Sequence, residues 1–110
     1  CVALIEDTGG VPVLAHPGQS LRVKEALFPR IVQCGIRGVE AFSSYHSAEA
    51  REKWLGEAEK RGLLVTCGSD FHGKTKPSIA IGRHGADATR MQTIIRDLYA
   101  AAGRDFAEEE

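Results

Sequence analysis

Three short apolar runs, each closing on residues with chemistry to offer, most constrain what this chain can fold into. Val11 to His16 is followed by Pro17 and Gly18. Gly38 to Phe42 leads into Ser43, Ser44, Tyr45 and His46, and Leu63 to Cys67 leads into Gly68, Ser69, Asp70, Phe71, His72 and Gly73. Runs this short, rich in Val and Leu and bounded by Gly or Pro, suit buried strands better than helices. The stretches between them carry helical signals. Ser20 can cap a helix to about Cys34, with Val23, Leu27, Ile31 and Cys34 on one face and Gly35 as its stop. Pro29 lacks an N–H, so it predicts either a kink or a second short helix opening there. Ser47 to Arg61 is cleaner: Ser47 caps, Glu49 with Lys53 and Glu57 with Arg61 are i,i+4 pairs, Trp54, Leu55 and Ala58 form the buried stripe, and Gly62 ends it. A third helix starts at Asp87, with Met91, Ile94, Ile95, Leu98 and Tyr99 facing inward.

Alternation of strand and helix predicts an α/β fold of parallel strands joined by right-handed crossover helices. In such folds the active site gathers at the C-terminal ends of the strands. His16, His46, Asp70 and His72 all fall there.

Bulk properties narrow the partners. The chain has 110 residues, 43% hydrophobic and 26% charged, enough for one domain with a core of its own. A formal net charge of -1 gives no general attraction to nucleic acid or to an anionic membrane, so a phosphorylated ligand needs local groups to hold it. No apolar run is long enough to cross a bilayer, and Cys1 to Asp7 lacks the basic start and long apolar stretch of a signal peptide. Cys1, Cys34 and Cys67 form no CxxC pair, which argues against a disulfide framework or thiolate zinc site and suits a reducing, cytoplasmic setting. The chain opens on Cys1 and enters a helix-like or strand-like apolar stretch at once, so it reads as a piece of something longer. Ala107 to Glu110 reads as a frayed acidic tail.

Asp70 and His72 are one residue apart. At an extended strand end they would point to the same side, so a carboxylate and an imidazole can address one ion. His16 ends another strand and is turned at once by Pro17 and Gly18. Imidazole with carboxylate suits zinc, manganese or iron. The plainer readings are a solvated turn capped by Asp70 and a buried His16 bonded to a carbonyl. Glu40, inside an apolar strand, needs a partner: it orients a histidine or pairs with a neighbour such as Arg37. His84 beside Gly85 reads as an exposed loop residue.

The segments LAHPG (Leu14 to Gly18), GVEAFSSYHS (Gly38 to Ser47) and LLVTCGSDFHG (Leu63 to Gly73) resemble the later motifs of the PHP (polymerase and histidinol phosphatase) phosphoesterases, over roughly Val2 to Gly82. The resemblance implies part of a distorted (β/α)7 barrel, with motif-bearing units over residues 1–82 and a C-terminal helix and acidic tail over 83–110. It implies divalent cofactors (zinc, manganese, iron or magnesium, up to two or three ions), with His16 as the family's late histidine ligand and Asp70 and His72 as its terminal DxH pair. His46 corresponds to a histidine near the substrate phosphate, able to contact a phosphate oxygen or protonate the leaving group. By their position directly after the DxH pair, Lys74 and Lys76 are candidates for phosphate contacts as mobile charges. The family's opening DLHxHS-type strand is absent, so about half of the ligand set is missing and the domain is partial.

The expected activity is metal-dependent hydrolysis of a phosphate ester of a nucleotide, an oligonucleotide end or a small molecule. Two alternatives differ in class: a metal-dependent amidohydrolase, and a non-catalytic structural or interaction fragment. An open parallel edge would invite self-association.

Overall fold

The computed structural model describes residues 1–105, so the expected acidic tail lies outside the described residues. The opening apolar stretch is a helix, α1 (Val2–Asp7). The three strands are β1 (Val13–Leu14), β2 (Gly38–Ser43) and β3 (Leu64–Gly68), all parallel and ordered β1-β2-β3. β2 is central and buried, with Val39 and Ala41 at 0% exposure, as expected for a parallel strand covered on its faces. The sheet is α/β and parallel as the sequence predicts; a closed barrel is not present in these three strands. Both β1 and β3 are edges of this sheet among the described residues.

The register slips once. Glu40 pairs with Thr66 but Phe42 pairs with Cys67, which leaves Ala41 as the extra residue of a bulge in β2. Such an insertion bends the strand and re-aims the residues beyond it. In this chain those residues form the Ser43–His46 turn.

The helix expected over 20–34 is broken into pieces. α2 (Pro17–Ser20) begins at Pro17, a 3-10 turn covers Glu25–Leu27, and α3 (Phe28–Gln33) starts with Pro29 in its first turn. Proline is at home there because the first N–H groups of a helix have no intrahelical partner anyway. The predicted inner face fails with the break: Val23 is 86% exposed and Leu27 is 38% exposed, whereas Leu21 and Phe28 are buried.

α4 (Ala48–Arg61) agrees closely with the sequence pattern. The Ser47 hydroxyl accepts the Ala50 N–H at 3.1 Å, and Gly62 closes the helix in the left-handed region at φ 65. Glu57 pairs with Arg61 at 3.0 Å, but Lys53 reaches across to Glu25 instead of Glu49. Trp54 and Ala58 are buried, with Leu55 partly so. Trp54 meets Phe28 edge to face at 5.0 Å between ring centres, which ties α4 to α3. α5 (Ala88–Ala101) is capped by the Asp87 carboxylate, which accepts the Arg90 N–H at 2.8 Å. Only part of its expected inner face is covered: Ile94 is buried and Leu98 packs on the core, while Met91 and Tyr99 are exposed. His84 also departs from expectation. It is buried, and its Nδ1 accepts the Ala86 N–H at 3.1 Å, so it shapes the loop into α5. No helix among the described residues is long and apolar enough to cross a membrane.

Candidate functional site

The site is built on the turns that leave the C-terminal ends of β1, β2 and β3. After β1, the chain reverses at His16, whose φ of 24 is unusual for a residue with a side chain. Two groups from β2 and its turn hold that conformation. The His16 N–H donates to Glu40 Oε1 at 3.0 Å, and the Gly18 N–H donates to His46 Nε2 at 2.9 Å. Gly18 is obligatory for this approach, because a Cβ there would lie 2.6 Å from the His46 ring. Glu40 in turn passes over Gly68 of β3, where a Cβ would lie 2.6 Å from Glu40 Oε2. Partial burial raises the Glu40 pKa above its ordinary value, opposed by the bond from the His16 backbone. Of the two readings of Glu40, the histidine partner is the one observed. Arg37 donates instead to the Ala101 carbonyl at 3.1 Å, joining the start of β2 to the end of α5.

His46 is buried, at 6% exposure. Its Nδ1 lies 2.7 Å from the Ala41 carbonyl, the bulge residue of β2. A carbonyl can only accept, so Nδ1 carries the proton and Nε2 is the acceptor for Gly18. Both nitrogens are thereby spent on backbone. In this arrangement His46 braces the turn that presents His16.

His16 is oriented the same way. The Ser20 hydroxyl donates to the Ala15 carbonyl at 3.1 Å and lies 2.9 Å from His16 Nδ1. With its one proton on Ala15, Ser20 accepts from Nδ1–H, leaving the Nε2 lone pair of His16 outward. That nitrogen stands 3.9 Å from Asp70 Oδ2, with the Tyr45 ring edge-on to the imidazole at 5.2 Å.

Asp70 departs from the extended strand end expected of it. β3 ends at Gly68, and Asp70 is left-handed at φ 58, so the alternation argument for Asp70 and His72 does not apply. The pair meets by another route. His72 Nδ1 lies 2.6 Å from the Asp70 carbonyl and 3.5 Å from Asp70 Oδ1. Ser44 secures the turn by donating to the Ser69 carbonyl at 2.7 Å. On its other oxygen, Asp70 accepts the Tyr45 hydroxyl at 2.5 Å and the Lys76 ammonium at 2.7 Å, and Lys76 also donates to the Tyr45 oxygen at 2.5 Å. Chiefly the Lys76 bond, then the Tyr45 bond, lowers the Asp70 pKa to about 2. These two bonds favour the ionised carboxylate.

Of the expected site residues, His16, Asp70, His72 and Lys76 are brought together. His46 is behind them, and Lys74 is exposed on the Gly73–Thr75 turn. The donor types suit a divalent cation, but no three His, Cys, Asp or Glu side chains among the described residues stand together as a metal-holding group. Lys76 occupies the carboxylate oxygen nearest His16, and His72 Nδ1 is turned toward the Asp70 carbonyl. Tyr45 and Ser20 are participants that sequence reasoning missed. Tyr45 lay within the SSYHS segment, but nothing in its spacing pointed to Asp70.

No family model matches the sequence. The chain is 38% identical over 73 residues to phosphoribosyl 1,2-cyclic phosphate 1,2-diphosphodiesterase of Eggerthella lenta, covering 66% of this chain and 27% of that protein. It is 35% identical over 75 residues to 3',5'-nucleoside bisphosphate phosphatase of Chromobacterium violaceum, covering 64% and 26% respectively. Its fold is similar to a crystal structure from Bifidobacterium adolescentis assigned as a metal-dependent phosphoesterase, with TM-score 0.70 and 31% identity over 91% of this chain and 35% of that one. The chain thus spans about a quarter of the two curated relatives (27% and 26%).

Proposed function

We propose, from the premise that this chain is homologous to PHP-type phosphoesterases over about 65% of its length, that it contributes one wall of a metal-dependent phosphoesterase site. The reaction class is hydrolysis of a phosphate ester, and the substrate is a phosphorylated small molecule, a nucleotide or an oligonucleotide end. One of the two curated relatives is named for a phosphoribosyl cyclic phosphate and the other for a nucleoside bisphosphate. Both are small phosphorylated sugars or nucleosides, which favours that end of the range over an amide substrate.

The observation that carries this reading is the convergence of the His16 Nε2 lone pair and the Asp70 carboxylate at 3.9 Å, from turns 54 residues apart in sequence. Our assignment makes His16, Asp70 and His72 donors toward a divalent ion (zinc, manganese, iron or magnesium). Lys76 and the exposed Lys74 are the cations for the substrate phosphate. Glu40, Ser20 and His46 position His16 and do not touch the reacting atoms. The remaining donors belong to the rest of the domain, so this chain alone is a partial site.

The test is a hydrolysis screen of the complete domain against phosphate monoesters, cyclic phosphates and amides, with and without added divalent metal. Metal-dependent release of phosphate, lost in Asp70→Asn, is the expected result. Hydrolysis of amides with no action on phosphate esters would replace this reading with the amidohydrolase one.

A further inference from the structure

The donor types suit a cation, no metal-holding group of three forms among the described residues, and one cationic side chain already stands among the donors. Lys76 Nζ sits 2.7 Å from Asp70 Oδ2 and 2.5 Å from the Tyr45 hydroxyl oxygen, while Tyr45 donates to the same carboxylate oxygen at 2.5 Å. Asp70 Oδ2 is also the oxygen nearest His16 Nε2, at 3.9 Å. A positive charge therefore already stands where a cation shared by His16 and Asp70 would be held.

We propose that Lys76 is a built-in competitor for the metal: its ammonium occupies the Asp70 carboxylate and must be expelled when a divalent ion binds there. The inference rests on the phosphoesterase reading only in taking Asp70 as a metal donor. A divalent ion bonded to a carboxylate oxygen lies about 2.0–2.2 Å from it. An ammonium on the same oxygen is then a like charge in close contact, and one of the two must leave. Lys76 is able to leave. Its side chain is 39% exposed, on a flexible four-carbon stem, and its head is stable in water. Tyr45 stays, since its hydroxyl donates to the carboxylate whatever cation is present. The released ammonium remains tethered six residues from Asp70, placed to meet an anion that arrives with the metal. Affinity for the ion is accordingly lower than the donors alone would give.

Manganese binding by calorimetry, on the complete domain and on its Lys76→Met, Lys74→Met and Asp70→Asn variants, tests this. Removing one exposed ion-pair competitor should let Lys76→Met bind manganese about 5-fold more tightly at low salt. The gain shrinks toward nothing at about 0.5 M salt, because screening removes a charge effect but not a structural one. Lys74→Met stays within about twofold of the parent, and in an Asp70→Asn background Lys76→Met no longer tightens binding. Equal or weaker binding by Lys76→Met overturns the competitor role and leaves the metal reading standing. No manganese uptake by either the parent or Lys76→Met overturns both. Unchanged Trp54 fluorescence in each variant establishes that the fold is intact.

Discussion

His46 Nε2 accepts the Gly18 backbone N–H at 2.9 Å, so a histidine from the β2 turn holds the loop that presents His16. The same ring donates from Nδ1 to the bulge carbonyl of Ala41 at 2.7 Å. A buried ring bonded at both nitrogens is a structural part. His46→Ala should lower unfolding stability by about 1–3 kcal/mol, the cost of leaving a buried carbonyl and a half-buried N–H unpaired. Urea denaturation measures it. An unchanged midpoint together with lost phosphate hydrolysis in the complete domain would return His46 to a catalytic role.

Gly18→Ala should be as damaging as losing His46 itself, since the new Cβ would meet the ring at 2.6 Å and displace it. Gly56→Ala is the control. Nothing lies within 4 Å of a Cβ there, and alanine favours a helix interior, so it should stabilise by about 0.5–1 kcal/mol. Thermal unfolding of the two variants should move in opposite directions.

Trp54→Ala should cost about 3–5 kcal/mol, because Trp54 is 2% exposed and packs edge to face on Phe28 across the α3–α4 contact. Loss of that size is a large fraction of a small domain's stability, so the variant should be mostly unfolded by circular dichroism.

Cys67 on β3 should alkylate only at high pH. Burial pushes its thiol above the ordinary 9.0, and the Glu40 carboxylate pushes in the same direction. The reactive form is the thiolate, so a raised pKa delays reaction as pH rises. Glu40→Gln removes one of the two causes and should shift the rate–pH profile of iodoacetamide labelling downward, while its amide oxygen still accepts from His16. A profile centred at or below 9.0 in the parent would contradict the partial burial of Cys67 beside Glu40.

Legibility in the sequence differs by element. The strands and α4 were readable because their signals are local: Val and Leu runs stopped by Gly or Pro, a serine cap at 47, a glycine stop at 62. The 20–34 segment misled because periodicity placed Val23 and Leu27 inward, whereas Pro17 and Pro29 start separate short helices. The bracing contacts of His46 were hidden because its partners, the Ala41 bulge carbonyl and the Gly18 N–H, are created by a slip in register and a loop 28 residues away. Neither leaves a mark in the sequence near His46. The Tyr45–Asp70–Lys76 contact spans 31 residues and depends on Asp70 being left-handed, a conformation that spacing alone does not disclose.

The two sheet edges, β1 and β3, remain open among the described residues. Unpaired parallel edges favour pairing with a second chain. Light scattering of the chain should therefore show mass rising with concentration. A constant monomer mass across the range would set the self-association proposal aside.

His16 and Asp70 are proposed to share one cation, and metal retention tests this most directly. Metal content of the purified chain, saturated with manganese and then dialysed, should be compared with His16→Ala and Asp70→Ala. Loss of even an outer partner of a metal typically costs 10- to 100-fold in affinity, so removal of a direct donor should cut retained metal by roughly tenfold or more in each variant. Equal metal in all three proteins would contradict the shared site.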